Sequence, residues 1–331
     1  MADLKTKYMG LELRSPIIAG SCGLTSDVEK MVEMEKAGVG AVVLKSIFEE
    51  QINEETSGVF KAGYGMGDAY PEAEDYIKAY IRSNTIQKYV ELVRNAKSRL
   101  TIPVIASVNC FSGGEWVSFA RQLEEAGADA LELNVFILPV NEFKESVEVE
   151  NVYFEIVKSI KSQIKIPVSV KISHYFTNLS AFVDKIKAYG ANATTLFNRF
   201  YEPDININTL EMGAASVFST AAELRTTLRW TGILAGKDKR LEISASTGVH
   251  GGEAAVKLLL AGATTVQVCS VLYEKGIHVI EDINNFVGKW MDSKAFKTIE
   301  DYRGMLSYSS IENPDLYERA QFMKYFSNKQ Y

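Results

Sequence analysis

Residues 241–276, LEISASTGVHGGEAAVKLLLAGATTVQVCSVLYEKG, decide the fold. They read as strand, glycine turn, helix, strand, then a second turn opening another helix. The first strand, 243–246, ends in Thr247-Gly248, and Gly251-Gly252 precede a helix over 253–260. The second strand, 266–268, ends in Cys269-Ser270, which turn toward a helix starting near Ile277. Two successive β-to-α turns rich in Gly, Ser and Thr present backbone N–H groups that no side chain crowds. Helix N-termini behind them add partial positive charge, so the pair suits a phosphate. In an eight-fold β/α barrel, a phosphate site recurs in the turns after the last two strands. An ordinary βαβ unit with glycines serving tight turns is the plainer alternative, and this stretch alone leaves it open.

Working outward, the same alternation covers the chain. Two candidate strands around Gly10 form a hairpin fit to plug the bottom of a barrel. Strands follow near residues 17, 42, 105, 131, 169, 195, 244 and 267, each short and largely apolar. Helical patterns lie between them at 26–37, 85–100, 115–126, 148–163, 179–189, 221–230 and 253–260. Eight β/α units predict one α/β domain spanning 1–331, a closed (β/α)8 TIM barrel with an N-terminal β-hairpin and a C-terminal helical extension over 293–331. Two stretches, 48–83 and 200–216, lack periodicity and stand out as long connections.

A chain of 331 residues with 47% hydrophobic residues has ample material for one large core. Its net charge of −6 argues against nucleic acid or an anionic membrane as partner. No window reaches 18 uninterrupted apolar residues, and the first residues carry no apolar leader core. Cys22, Cys110 and Cys269 are odd in number and far apart, which suits a reducing cytoplasm and excludes a self-contained four-cysteine metal or cluster site. No metal site is expected.

In such a barrel the chemistry sits at the C-terminal ends of the strands. There the chain places Ser21-Cys22-Gly23, Lys45-Ser46, Asn109, Asn134, Lys171, Asn198, Thr247-Gly248 and Cys269-Ser270. Two lysines sharing one mouth repel unless an anionic or electron-rich ligand lies between them. Amides both donate and accept, which suits the edge of a heterocycle. Together these groups describe a site for a flat, polar-edged ring with a phosphate tail, a flavin mononucleotide (FMN). Singly, each lysine reads as a solvated residue and each Asn as a turn former; convergence carries the reading.

The pieces SPIIAGSCG, VVLKS, ASVNCFSGG, ADALELN, PVSVKIS, TLFNR and 241–276, in this order and spacing, resemble successive segments of the dihydroorotate dehydrogenase family of FMN barrels over nearly the whole chain. The resemblance implies that Ser21, Cys22 and Gly23 run past the flavin ring, with Lys45 and Ser46 against it. Asn109 and Asn134 would bond the ring or ribityl chain, and Asn198 would also serve the cofactor. Lys171 would face N1 and O2, where a cation stabilises reduced flavin. Thr247, Gly248, Cys269 and Ser270 would take the phosphate, and Asn134, Asn198 and Arg199 would meet substrate.

The departures concern the substrate half. After the fourth strand the family shows Asn-x-x-Cys-Pro-Asn or Asn-x-x-Ser-Pro-Asn, whose Cys or Ser removes a proton from dihydroorotate. This chain reads Asn134-Val135-Phe136-Ile137-Leu138-Pro139. Ile137 stands at the base position and cannot accept a proton; Pro139 replaces the second Asn. The family's Asn-x-x-Gly-x-x-Asn loop has no counterpart in 48–83, where Tyr64, Tyr70 and Glu72 lie instead. Arg199 stands where a small hydroxyl residue is usual, and the phosphate turn reads Ser-Thr-Gly for Thr-Gly-Gly. The expectation is an FMN oxidoreductase acting on a small molecule, with activity on dihydroorotate impaired or lost. Its rivals are a flavoenzyme for another anionic or heterocyclic substrate, with Arg199, His174 or Tyr64 as ligands, and a non-catalytic FMN-binding protein. A flavin-free phosphosugar barrel is a fourth reading. No Rossmann fingerprint follows a strand, so a separate electron acceptor, fumarate or a partner subunit, is expected. A homodimer through exterior helices and the aromatic C-terminal tail is also expected.

Overall fold

The structure is a computed structural model that describes residues 2–48, 71–109, 113–199 and 202–318. It opens with the hairpin β1 (Thr6–Tyr8) and β2 (Leu11–Leu13), followed by β3 (Ile17–Ala19), α1 (Val28–Lys36), β4 (Ala41–Val43) and β5 (Ile47–Phe48). The middle of the chain gives α2 (Pro71–Arg99), β6 (Val104–Asn109), α3 (Gly113–Glu125), β7 (Ala130–Asn134), α4 (Ser146–Lys161), β8 (Val168–Ile172), α5 (Leu179–Ala188) and β9 (Ala193–Leu196). A second hairpin, β10 (Pro203–Asn206) and β11 (Glu211–Ala214), precedes α6 (Leu224–Lys237), β12 (Glu242–Ala245), α7 (Gly252–Ala261), β13 (Thr265–Val268), α8 (Ser270–Lys275), α9 (Val279–Ser293) and α10 (Asp315–Glu318).

Eight parallel strands close on themselves in the order β3, β4, β6, β7, β8, β9, β12, β13, with β13 pairing back to β3. This is the (β/α)8 barrel that the strand count predicts. Its strands are buried on both faces, but the two faces differ in chemistry. On β6, Val104, Ala106 and Val108 pack outward among the helices, while Ile105 joins a separate cluster inside the barrel with Ile18, Ala41, Val43, Ala130 and Ala193. The hairpin plugs this inner apolar layer with Tyr8, Met9 and Leu13. Its two-residue turn needs left-handed backbone at both positions, which Met9 (φ 53) and Gly10 (φ 80) adopt. The Glu242 carboxylate accepts the Met9 N–H and fastens the turn to β12.

Above that layer the inward positions turn polar. Ser107, Glu132, Ser169, Thr195, Ser244, Thr265 and Gln267 are all buried, at alternate places in otherwise apolar strands. An apolar floor and a polar ceiling therefore follow from one period-2 pattern. The boundaries adjust some expectations. Helix α2 starts at Pro71 rather than near 85, with proline at a helix start where its missing N–H costs nothing. The 200–216 connection holds the β10–β11 hairpin, whose strands are exposed throughout; strands this short show too few alternations to be read from sequence. After β13 the chain enters α8 at once, and α9 begins only at Val279. The C-terminal extension is present as the 3-10 turn Ile299–Asp301 and α10. Among the described residues no helix is long and apolar enough to cross a membrane, and no group of His, Cys, Asp and Glu could hold a metal ion.

Candidate active site

A cavity of about 450 Å³ opens at the C-terminal ends of the strands. Ser21, Cys22 and Gly23 line it from the turn after β3, Lys171 from β8, Asn198 and Arg199 from the end of β9, Thr247 and Gly248 from the turn after β12, and Cys269 and Ser270 from the end of β13. These ten residues, drawn from five strand ends, meet as the sequence predicts. Drug-sized ligands occupy cavities of roughly 300–1,000 Å³, so the space suits one small organic molecule.

Three further predicted residues sit just below the cavity. Ser46 Oγ lies 3.0 Å from Ser21 Oγ and 2.7 Å from Ser107 Oγ. Asn134 Nδ2 donates to Ser46 Oγ at 3.4 Å, and Asn198 Nδ2 donates to Asn134 Oδ1 at 2.7 Å. A hydroxyl–amide chain thus runs under the mouth from β3 to β9. Asn109 is buried, and its Oδ1 has no hydrogen-bond partner among the described residues. Lys45 differs: its side chain is exposed and is not part of the cavity wall.

Lys171 is 7% exposed and Glu132 1%. Their Nζ and Oε1 are 3.8 Å apart, too far for a hydrogen bond, and Oε1 has no other partner among the described residues. Glu132 Oε2 instead accepts from Thr195 Oγ1 at 2.9 Å and from Gln267 Nε2 at 2.8 Å. The carboxylate is pinned from β9 and β13, while Lys171 also lines the cavity. At this separation two opposite charges attract by about 4 kcal/mol at an effective dielectric of 20, before desolvation. Glu132, Thr195 and Gln267 are the residues that reading for strand ends misses. A charged or amide side chain at an inward position of a buried strand, as in ALELN and TVQV, is the signal that finds them.

In the turn after β12, Thr247 (φ 78) and Gly248 (φ 79) are both left-handed. Thr247 carries the steric cost of a side chain there, roughly 1–2 kcal/mol, and its Oγ1 is tied to Phe197 O at 3.0 Å. A Cβ on Gly248 would run into the Leu224 backbone. Ser219 Oγ receives the Gly248 N–H at 3.4 Å, lies 3.1 Å from Ser270 Oγ and 3.3 Å from His250 Nε2. His250 Nδ1 in turn faces Glu274 Oε2 at 3.1 Å. Ser219 Oγ accepts from the Gly248 N–H and donates to Ser270 Oγ, so one serine bridges the two turns. Ser219 and His250 belong to the site through this contact.

The substrate-side residues are arranged otherwise. Arg199 is engaged by Glu223 at 3.0 Å and Glu202 at 3.3 Å, and donates to Val217 O at 3.0 Å, so it anchors the connection after β9 as well as lining the cavity. Ile137 faces a separate cleft of about 340 Å³ between the loops after β7 and β8, with its N–H bonded to Tyr153 Oη at 3.2 Å. His174 lines a third, smaller cleft of about 140 Å³ with Asn198 and Arg199. Tyr64, Tyr70 and Cys110 lie outside the described residues, and Glu72 falls at the start of α2.

Residues 3–291 match the family model described as dihydroorotate dehydrogenase. A Thermoplasma acidophilum protein named dihydroorotate dehydrogenase B (NAD(+)), catalytic subunit, is 30% identical over 311 residues, covering 92% of this chain and 99% of its own. A putative dihydroorotate dehydrogenase A (fumarate) from Aeropyrum pernix is 27% identical, covering 91% and 97%. A Methanocaldococcus jannaschii protein, also named catalytic subunit of the NAD(+) enzyme, is 22% identical with the same coverages.

Proposed function

Because the chain belongs to the dihydroorotate dehydrogenase family, we propose that it binds FMN and oxidises a small anionic or heterocyclic substrate, with dihydroorotate a poor one. The observation that carries the proposal is Lys171, a buried cation held 3.8 Å from the Glu132 carboxylate on the lining of a cavity whose wall includes the left-handed Thr247-Gly248 turn. The residues present fit the cofactor. The Gly248 cradle has no room for a side chain, Ser219 Oγ bridges the Gly248 N–H and the Ser270 hydroxyl at the two turns, and Asn109 Oδ1 is a buried acceptor without a partner among the described residues.

When bound, FMN supplies a two-electron acceptor at the mouth. Lys171 contributes positive charge where negative charge accumulates on reduction, and Glu132 holds it there without consuming its protons. Asn134 and Asn198 orient polar edges through the chain that reaches Ser21. No residue of 134–139 offers a proton acceptor in the cavity, and Ile137 faces a different cleft. Losing a positioned base typically costs about 10²–10⁴-fold in rate, which supports a changed substrate over efficient dihydroorotate oxidation.

Electrons leave to a separate acceptor. Two relatives are named as catalytic subunits of an NAD(+) enzyme, which favours a partner subunit. The test is the absorption spectrum of the purified protein, followed anaerobically on adding dihydroorotate and then other reduced pyrimidines or enoates. A flavin spectrum bleached slowly by dihydroorotate and faster by another compound supports the proposal. Prompt bleaching by dihydroorotate overturns the altered-substrate part, and a colourless protein that takes up no FMN overturns the whole.

A further inference from the structure

Cys22 and Cys269 both line the main cavity, and neither is assigned chemistry by the flavin reading. Their strands are neighbours, with Ala19 of β3 opposite Val268 of β13, so the turns carrying the two thiols lie side by side. Cys269 Sγ contacts Ser21 O at 3.4 Å and Gly20 O at 3.7 Å, the carbonyls of the segment leading into Cys22. The two thiols are neighbours in unlike surroundings. The Cys269 thiol, the Leu24 and Thr25 N–H groups and the Tyr273 hydroxyl surround Cys22 and lower its pKa to about 6. Cys269, beside that thiolate and deeply buried, is pushed well up. One sulfur is a ready nucleophile and the other a protonated thiol within its reach, which is the division between an attacking and a resolving cysteine.

We propose that Cys22 and Cys269 form a redox pair that a hydroperoxide closes to an intramolecular disulfide. The Cys22 thiolate attacks the peroxide's terminal oxygen; the O–O bond breaks, and the departing oxygen takes a proton and leaves as an alcohol or water. Cys22 is then a sulfenic acid, oxidised by two electrons, and the peroxide is reduced by two. The Cys269 sulfur attacks the Cys22 sulfur as its proton passes to the leaving hydroxide, which departs as water. The bridge joins the turn after β3 to the turn after β13 and removes a thiolate from the cavity wall. Because Ser21 hydrogen-bonds Ser46, the link acts directly on the polar chain under the mouth. The proposal needs no bound flavin, so it stands or fails separately from the function above.

The test is peptide mapping without reduction after treating the purified protein with equimolar hydrogen peroxide. The expected result is a peptide linked through Cys22 and Cys269, released by dithiothreitol. In Cys269→Ser the reaction stops at Cys22 as a sulfenic acid that dimedone traps; in Cys22→Ser, Cys269 stays reduced. A wild-type protein whose two thiols remain alkylatable after peroxide overturns the proposal. So does irreversible oxidation of Cys22 with Cys269 untouched.

Discussion

On the side of the mouth formed by β12, β13 and β3, the chain turns back within a few residues. Ser21, Gly248 and Ser270 hold polar atoms at fixed places in the cavity wall. On the side formed by β7 to β9 the chain runs outward instead. Leu138, Val140 and Phe143 are exposed after β7, and Ile205, Ile207, Leu210 and Met212 are exposed on and around the β10–β11 hairpin. Short turns bury their backbone and fix the donors a cofactor needs; long loops leave room for change. On the proposed reading, the phosphate lies on the tightly folded side, while the residues that depart from the family pattern, Ile137, Pro139 and Arg199, lie where the chain loops out.

The sharpest way to break this contrast is at Gly248. Gly248→Val puts a β-branched side chain at φ 79 against the Leu224 backbone. Flavin retention through gel filtration is expected to fall by more than about tenfold even in whatever fraction folds, since the turn is the proposed phosphate cradle. A variant that keeps its flavin would show that the phosphate lies elsewhere.

Next in size is the buried pair. Glu132→Leu leaves Lys171 without its counter-charge and Thr195 and Gln267 without their acceptor, an expected loss of about 3–5 kcal/mol on urea unfolding. Glu132→Gln keeps an acceptor for Thr195 and should lose less. A Glu132→Gln loss near zero would mean that the charge of Glu132 contributes nothing, and that Lys171 is not held by it.

This pair marks the limit of what the sequence discloses. The barrel was legible because eight short, largely apolar runs alternate with helical patterns along the chain. The cavity wall was legible because polar residues follow directly on apolar strands, as Ser21, Thr247 and Ser270 do. Glu132 was not, since a single carboxylate inside ALELN resembles an accident until closure of the barrel aims it at Thr195 and Gln267 on strands far away in sequence. Lys45 errs the other way. It follows β4, whereas Lys171 lies within β8, and its side chain is exposed and not part of the cavity wall. Ser219 lies just past the aperiodic 200–216 connection and before the helix expected from 221, and only the fold carries it back over the two turns.

On the tight side, Cys22 offers a pH test. An unperturbed thiol titrates near 8.5, whereas Cys22 is lowered to about 6 by the Cys269 thiol and by donors around it. Iodoacetamide reacts with the thiolate, so alkylation of Cys22 should rise with a midpoint near pH 6, with Cys269→Ser moving that midpoint upward. A midpoint above 8 would place Cys22 among ordinary thiols.

The smallest effect is expected on the looped side, at Ile137. If the proposed loss of dihydroorotate chemistry were one side chain deep, Ile137→Cys would supply a base and speed anaerobic bleaching by about 10²–10⁴-fold. The geometry argues otherwise. Ile137 faces the cleft between the loops after β7 and β8, its backbone is fixed by Tyr153, and Pro139 occupies the position of a second ligand. A thiol there points away from the cavity, so the bleaching rate should stay within about tenfold of wild type. A larger gain would mean that the loop reshapes when substrate binds, and that the two sides of the mouth differ by a residue and not by a backbone path.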